Sequence, residues 1–252
     1  MKYSYDELAR MIDHALLHPT LTDADLRAGC EMARQYGVAS VCIKPYAVRL
    51  AAELMSGSGV AVGTVIGFPH GSAATEVKRY ETKAACGDGA REIDMVVNIG
   101  QALSGAWDYV EREIRMVCDE AHAAGALVKV ILENDFLGSD DVKRRLCEVS
   151  EKAGADFVKT STGFAFLKGA GGTFHTVGST EHDLRLMRAS VSARVQVKAA
   201  GGVRDLDGLI AVRELGATRC GTSATVHILD EYRRREASGE AGGGKAILGG
   251  GY

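Results

Sequence analysis

The sequence predicts a single-domain (β/α)8 barrel, and three observations carry that reading. Eight short apolar runs alternate with longer amphipathic stretches, as repeated βα units around a parallel sheet require. Several helix-to-strand connections repeat one motif in which a glycine closes the preceding helix. The length of 252 residues matches the roughly 250 that such a barrel uses as one domain.

The apolar runs are residues 12–17, 39–43, 60–68, 92–99, 127–133, 156–162, 195–200 and 219–223. Several are dense in β-branched residues, as strands buried on both faces should be. Helices are expected over 23–36, 45–55, 76–86, 107–124, 140–153, 180–189 and 206–215. The turns between them read Tyr36-Gly37-Val38, Cys86-Gly87-Asp88-Gly89-Ala90, Ala124-Gly125-Ala126, Ala153-Gly154-Ala155 and Leu215-Gly216-Ala217. Two segments stand outside the pattern. Residues 163–179 are glycine-rich and long for a βα loop. Residues 238–252 read as a flexible glycine-rich tail after a barrel domain of 1–237.

Composition narrows the function classes. A hydrophobic fraction of 46% and a charged fraction of 25% are ordinary globular values. The net charge of −3, with dispersed basic residues, offers no footprint for nucleic acid or an anionic membrane. The six cysteines are far apart and form no C-x-x-C pair, so they read as reduced thiols of a cytoplasmic protein. No signal-peptide core opens the chain, and no apolar stretch reaches the roughly 18 residues of a membrane span. The seven histidines show no ligand pair beyond the loosely spaced His14 and His18, so no metal is expected, and no cofactor either.

In a barrel of this kind the active site forms at the carboxyl ends of the strands. Asp13, Cys42, Asp94, Lys129, Lys159 and Lys198 interrupt the apolar strands there. A lone strand lysine is as readily a snorkelling side chain as a functional one. Three lysines and two aspartates on several strands point to a shared site. Lys159 and Lys198 fall on neighbouring strands, about 4.8 Å apart. One ammonium beside another in a partly dry pocket loses its proton more readily. The neutral amine attacks carbonyls, and the iminium it forms permits aldol cleavage without metal. Glycines also cluster in Ala200-Gly201-Gly202-Val203-Arg204 and Gly221-Thr222-Ser223, on the two loops that commonly cradle phosphate in this fold. Either cluster alone is equally well a tight turn.

At these residues the sequence resembles the deoxyribose-phosphate aldolases, from about Ile12 to Ser223. The carriers are Ile12-Asp13-His14, Val41-Cys42-Ile43, Gly67-Phe68-Pro69-His70-Gly71, Glu92-Ile93-Asp94-Met95-Val96, Val128-Lys129-Val130-Ile131, Phe157-Val158-Lys159-Thr160-Ser161-Thr162-Gly163 and Val197-Lys198-Ala199-Ala200-Gly201-Gly202-Val203-Arg204. The resemblance implies that Lys159 is the Schiff-base lysine, that Lys198 tunes it, and that Asp94 relays protons with Lys198. Asp13, Cys42 and Lys129 match supporting pocket positions. Phosphate would be held near Gly163, Gly202, Val203, Arg204, Gly221 and Ser223. The implied reaction is the reversible condensation of acetaldehyde with glyceraldehyde 3-phosphate, with small phosphosugar and aldehyde substrates as the partners; a homo-oligomer stays open. Two departures stand out. Ala224 replaces a second serine found in some members, and the Phe164–Ser179 stretch exceeds the usual loop, which makes it a candidate mobile wall over the acceptor and phosphate end of the pocket.

Three other readings compete: a lysine-dependent aldolase or transaldolase for another phosphosugar, an isomerase or epimerase of the same barrel class, and a catalytically silent sugar-phosphate sensor. The last would not need Lys159, Lys198 and Asp94 together. Tyr252 closes the tail and matches a carboxyl-terminal tyrosine found in part of the family, which implies a proton carrier that reaches into the site. A chain end of this kind is as readily without a role. Removing Tyr252 is expected to slow hydrogen–deuterium exchange at the acetaldehyde methyl group while leaving the melting temperature unchanged. Exchange at the full rate would take the tail out of the proton path.

Overall fold

The computed structural model describes residues 1–239. Its strands are β1 (Ile12–Leu16), β2 (Ser40–Ile43), β3 (Ala61–Ile66), β4 (Glu92–Val96), β5 (Leu127–Ile131), β6 (Phe157–Lys159), β7 (Leu167–Lys168), β8 (Phe174–His175), β9 (Gln196–Ala200) and β10 (Arg219–Thr222). All but β7 and β8 run parallel and close into a barrel, with β6 paired to β9 and β10 returning to β1. Closure removes every free edge and divides side chains into lumen and outer positions that alternate along each strand. In β4 this puts Ile93 and Met95, both 0% exposed, on the opposite face from Glu92 and Asp94.

The helices are α1 (Tyr5–Ala9), α2 (Asp23–Tyr36), α3 (Val48–Met55), α4 (Thr75–Gly87), α5 (Ile99–Leu103), α6 (Trp107–Ala123), α7 (Asp140–Ala153), α8 (Glu181–Ser190), α9 (Leu206–Glu214) and α10 (Thr225–Ser238). Their starts are set by side chains that accept orphan backbone amides: Thr22 for α2, Ser139 for α7, Thr180 for α8 and Asp205 for α9. Gly37 and Gly154 close α2 and α7 in the left-handed conformation, at φ 65° and 103°. Among the described residues, no helix is long and apolar enough to cross a membrane.

The structure departs from the sequence expectations at several points. Residues 97–99 leave β4, and Ile99 opens α5 instead. β6 stops at Lys159, so Thr160, Ser161 and Thr162 lie in the turn beyond it. The short α1 and the final helix α10 were not anticipated. α10 buries Thr225, Ile228, Leu229 and Tyr232, a helical i, i+3, i+4, i+7 stripe that is sparse among charged residues. The 237/238 boundary falls in its last turn, and the remainder of the segment, Tyr252 included, lies outside the described residues.

The 163–179 segment carries the β7–β8 antiparallel hairpin and is fastened at its far end. Asp135 accepts the amides of Val177 and Gly178 at 2.8 and 3.0 Å. The Ser179 amide donates to the Gly201 carbonyl at 3.0 Å, and the Ser179 hydroxyl to that of Ala200 at 2.8 Å. These bonds tie the segment to the end of β9. Gly178 sits at φ 75°, and a Cβ there would stand 2.8 Å from the Gly201 carbonyl oxygen. Gly178→Ala is therefore expected to destabilise the protein by about 1–3 kcal/mol, the cost of a strained left-handed residue, read from thermal or denaturant unfolding. An unchanged midpoint would show that this backbone contact yields freely.

Candidate active site

The lumen of the barrel holds a continuous charge network. Lys159 closes β6 and lies opposite Lys198 of β9 in the strand register. Asp94 of β4 lies opposite Lys129 of β5, two residues before the Ile131 that pairs with Lys159. Asp94 is shared by all three lysines. Its Oδ2 takes Lys159 Nζ at 2.8 Å and Lys198 Nζ at 2.7 Å, while its Oδ1 takes Lys129 Nζ at 2.8 Å. Asp13 of β1 answers from across the lumen, with Oδ2 2.5 Å from Lys198 Nζ and 3.1 Å from Lys129 Nζ. Deeper down, Glu92 pairs with Lys129 at 2.5 Å and with Arg219 at 2.9 Å, and Arg219 also binds Asp13.

Four cations therefore face three carboxylates in a largely buried site, and the excess cation falls where it is least held. Lys129 has three carboxylate partners, which outweigh burial and keep its ammonium charged well above the ordinary lysine range. For Lys198, burial again opposes the charge, but Asp13 and Asp94 prevail and its pKa is raised. Lys159 has one carboxylate oxygen, shared with Lys198. Burial lowers its pKa and the Lys198 charge adds to that, against the pull of Asp94. Asp94 itself is held well below the carboxylate range: burial opposes ionisation, but the three lysines around it overcome that. Of the three lumen lysines, Lys159 is the one poised to become a neutral amine.

Cys42 of β2 faces the same charges, and burial pushes its thiol up to about 11, so it stays neutral at pH 7. Arg219 and Glu92 are network members that the sequence reading left out. Both are the first residue of a strand, where a charge reads as a strand end. Their signal was a charged residue at the inward position of a predicted strand, the same signal that marked Asp94. Arg219 also lies over the Phe157 ring at 5.4 Å, which helps seal the floor of the lumen.

The glycine-rich loops meet at the mouth. Gly163, Gly201 and Gly202 all take positive φ, at 86°, 88° and 91°, a conformation that glycine adopts without steric cost in tight turns. Val203 is buried and its carbonyl accepts the Thr222 hydroxyl at 2.7 Å, which joins the ends of β9 and β10. Arg204 is exposed beyond it. Gly221 sits lower, inside β10 and opposite Asp13, and a Cβ there would be 3.3 Å from Lys198 Cε. Its lack of a side chain makes room for the Lys198 stem. Ser223 lines a mostly apolar cavity of about 380 Å³ with Phe164 and the end of β1, including His14 and Leu16. His14 is buried, bonds Thr225 at 2.9 Å, and is pushed down to about 4 by that burial.

Comparison with known proteins identifies the family and the fold. The family model of the DeoC/LacD family aldolases matches residues 8–223. A deoxyribose-phosphate aldolase of Rhodopirellula baltica is 51% identical over 233 residues, covering 92% of each chain. One from Thermococcus gammatolerans is 46% identical, covering 91% of this chain and 98% of its own. Among solved structures, the deoxyribose phosphate aldolase of Aeropyrum pernix, described as a unique tetramer, superposes with a TM-score of 0.81 at 33% identity, over 91% of this chain and 92% of its own.

The charge imbalance in the lumen has a consequence independent of substrate. Lys198→Met leaves three cations against three carboxylates and removes the positive neighbour of Lys159. The Lys159 pKa is expected to rise, moving its pH profile of chemical modification, followed by mass spectrometry, to higher pH. A profile that stays in place or moves down would show that Lys198 does not set the charge of Lys159.

Proposed function

The chain belongs to the DeoC/LacD family of aldolases, and from that premise we propose that it cleaves 2-deoxyribose 5-phosphate reversibly into acetaldehyde and glyceraldehyde 3-phosphate through a Schiff base on Lys159. The enzyme is a lyase. The observation that carries the mechanism is the contrast among the three lysines that share Asp94 in the lumen, of which Lys159 alone has its pKa lowered.

The neutral Lys159 amine adds to the aldehyde carbon of the open-chain sugar, and loss of water gives the iminium. A base takes the proton from the C3 hydroxyl, the C2–C3 bond breaks, and its electron pair moves into the iminium to give an enamine. The C3–C5 fragment leaves as glyceraldehyde 3-phosphate. Protonation at C2 and hydrolysis then release acetaldehyde and restore the amine. Asp94 is suited to the proton traffic because one of its oxygens touches both Lys159 and Lys198, so a proton released at one nitrogen has a path to the other. Lys129 and Asp13 hold Asp94 and Lys198 in place from below, and neutral Cys42 forms a wall.

The phosphate is assigned to the mouth, to the backbone at Gly163, Gly202, Val203 and Ser223 with Arg204 beyond them, while Gly221 lies lower in β10 and acts through the room it leaves for Lys198. Phe164 packs edge-on against Phe68 with ring centres 5.4 Å apart, which supports reading the 163–179 segment as a wall over the acceptor end. Six buried, free cysteines support a cytoplasmic setting.

Borohydride added with acetaldehyde is expected to leave an ethyl group on Lys159, located by mass spectrometry. Lys159→Leu should lose the adduct and at least about a thousandfold in turnover, as removal of a covalent nucleophile does. An adduct on Lys198, or none, would overturn the assignment.

A further inference from the structure

Glu133 occupies a position that its residue type does not favour. It follows β5 at φ 59° and ψ 62°, and among the described residues it is the only non-glycine with positive φ. Glycine or asparagine adopts this region at less steric cost, so a glutamate held there points to a task for its side chain. Its neighbours are sewn to the strand that carries Lys159. The Leu132 amide donates to the Lys159 carbonyl at 2.9 Å, and the Asn134 amide to the Thr160 carbonyl at 2.9 Å. A regular parallel ladder would carry Asn134 on to Ser161. The chain instead advances two residues against one, with Glu133 at the slip.

The carboxylate released by that slip is 1% exposed and is turned onto the segment just beyond Lys159. It accepts the Thr162 amide at 3.1 and 3.3 Å and also accepts the Thr162 hydroxyl. The Thr162 hydroxyl oxygen in turn accepts the Phe164 amide at 2.9 Å. The amides on either side of Gly163 are thus committed to one clasp, and Gly163 is held between them at φ 86°. These hydrogen-bond donors are neutral, and burial raises the Glu133 pKa to about 6. A carboxylate makes stronger bonds to such donors than a neutral amide would. Two residues on, Asp135 holds the amides of Val177 and Gly178, so both ends of the 163–179 segment are fastened from the one connection after β5.

We propose that Glu133 is a positioning residue for phosphate selectivity: by clasping Thr162 it fixes the Gly163 turn relative to Lys159, at the separation between the aldehyde and phosphate ends of the phosphosugar. The proposal rests on the reading of Lys159 as the Schiff-base lysine and of the Gly163 turn as part of the phosphate cradle. Glu133 reaches the substrate through Thr162 and Gly163. Its loss should therefore act on recognition of the phosphate more than on chemistry at Lys159.

The test compares 2-deoxyribose 5-phosphate with unphosphorylated 2-deoxyribose in Glu133→Gln. KM for the phosphorylated sugar is expected to rise about tenfold or more, the effect of weakening charge-assisted hydrogen bonds, with kcat changed less than about threefold. The kcat/KM for 2-deoxyribose and borohydride trapping on Lys159 should be preserved. Thr162→Val removes the hydroxyl from the other side and should reproduce the split, while Thr162→Ser keeps the hydroxyl and should retain the constants of the unaltered enzyme; these two carry the test if Glu133→Gln does not fold. Equal losses for both sugars, or no loss for either, would overturn the proposal. Absence of the Lys159 adduct in the unaltered enzyme would instead overturn the mechanism on which it rests.

Discussion

The rest of the site depends on a single carboxylate that is asked to neutralise too many cations. Asp94 is fully buried and touches Lys129, Lys159 and Lys198. Ion pairs of this kind repay their desolvation only when geometry is good and every member is compensated, and breaking one typically costs about 3–5 kcal/mol. Asp13 and Glu92 complete the compensation for Lys129, Lys198 and Arg219. Lys159 is left at the upper end of the chain with half a partner. The lysine that loses its proton most readily is thus specified by where the negative charge stops, and the buried network beneath it keeps the other two lumen lysines charged.

The barrel supplies the precision this needs. Lys159 and Lys198 face each other because β6 and β9 pair in register, and Asp94 reaches them from β4 across the lumen. A one-residue slip in either strand would send its lysine outward beneath the helices. The packed outer face, with Val128, Val158 and Val197 all fully buried, resists that slip. Gly221 shows the same economy, since a Cβ there would crowd the Lys198 stem at 3.3 Å.

How much of this was legible in the sequence follows from how each residue announces itself. Asp13, Asp94, Lys129, Lys159 and Lys198 stood out because a charge inside an apolar strand run demands a partner. Glu92 and Arg219 obey the same rule but begin their strands, where a charge usually meets solvent, so one residue of position concealed them. Glu133 left no mark because a left-handed glutamate has no sequence signature; it is read only from the backbone and from the carboxylate it aims at Thr162. The hairpin in the 163–179 segment is too short for a periodic pattern, and its Phe166 and Phe174 rings pack at 6.5 Å on the outside rather than in a core. Of the glycines in this segment, Gly178 serves a defined backbone contact with Gly201, while Gly171 and Gly172 face open space.

A cluster of this size is a poor way to stabilise a protein, since well-packed apolar side chains of similar volume often do as well or better than buried ions. Its members also sit in the lumen, where branched aliphatic residues commonly fill a barrel of this kind. The arrangement is better explained by what the charges do to one another. Lys198 and Asp94 differ in their effect on Lys159, the first driving its proton off and the second holding the charged form. Both effects grow as the dielectric falls, so the burial that makes the network expensive also makes it effective. Burial favours the neutral amine, and the adjacent carboxylate keeps a proton within reach; a lysine in water would have neither.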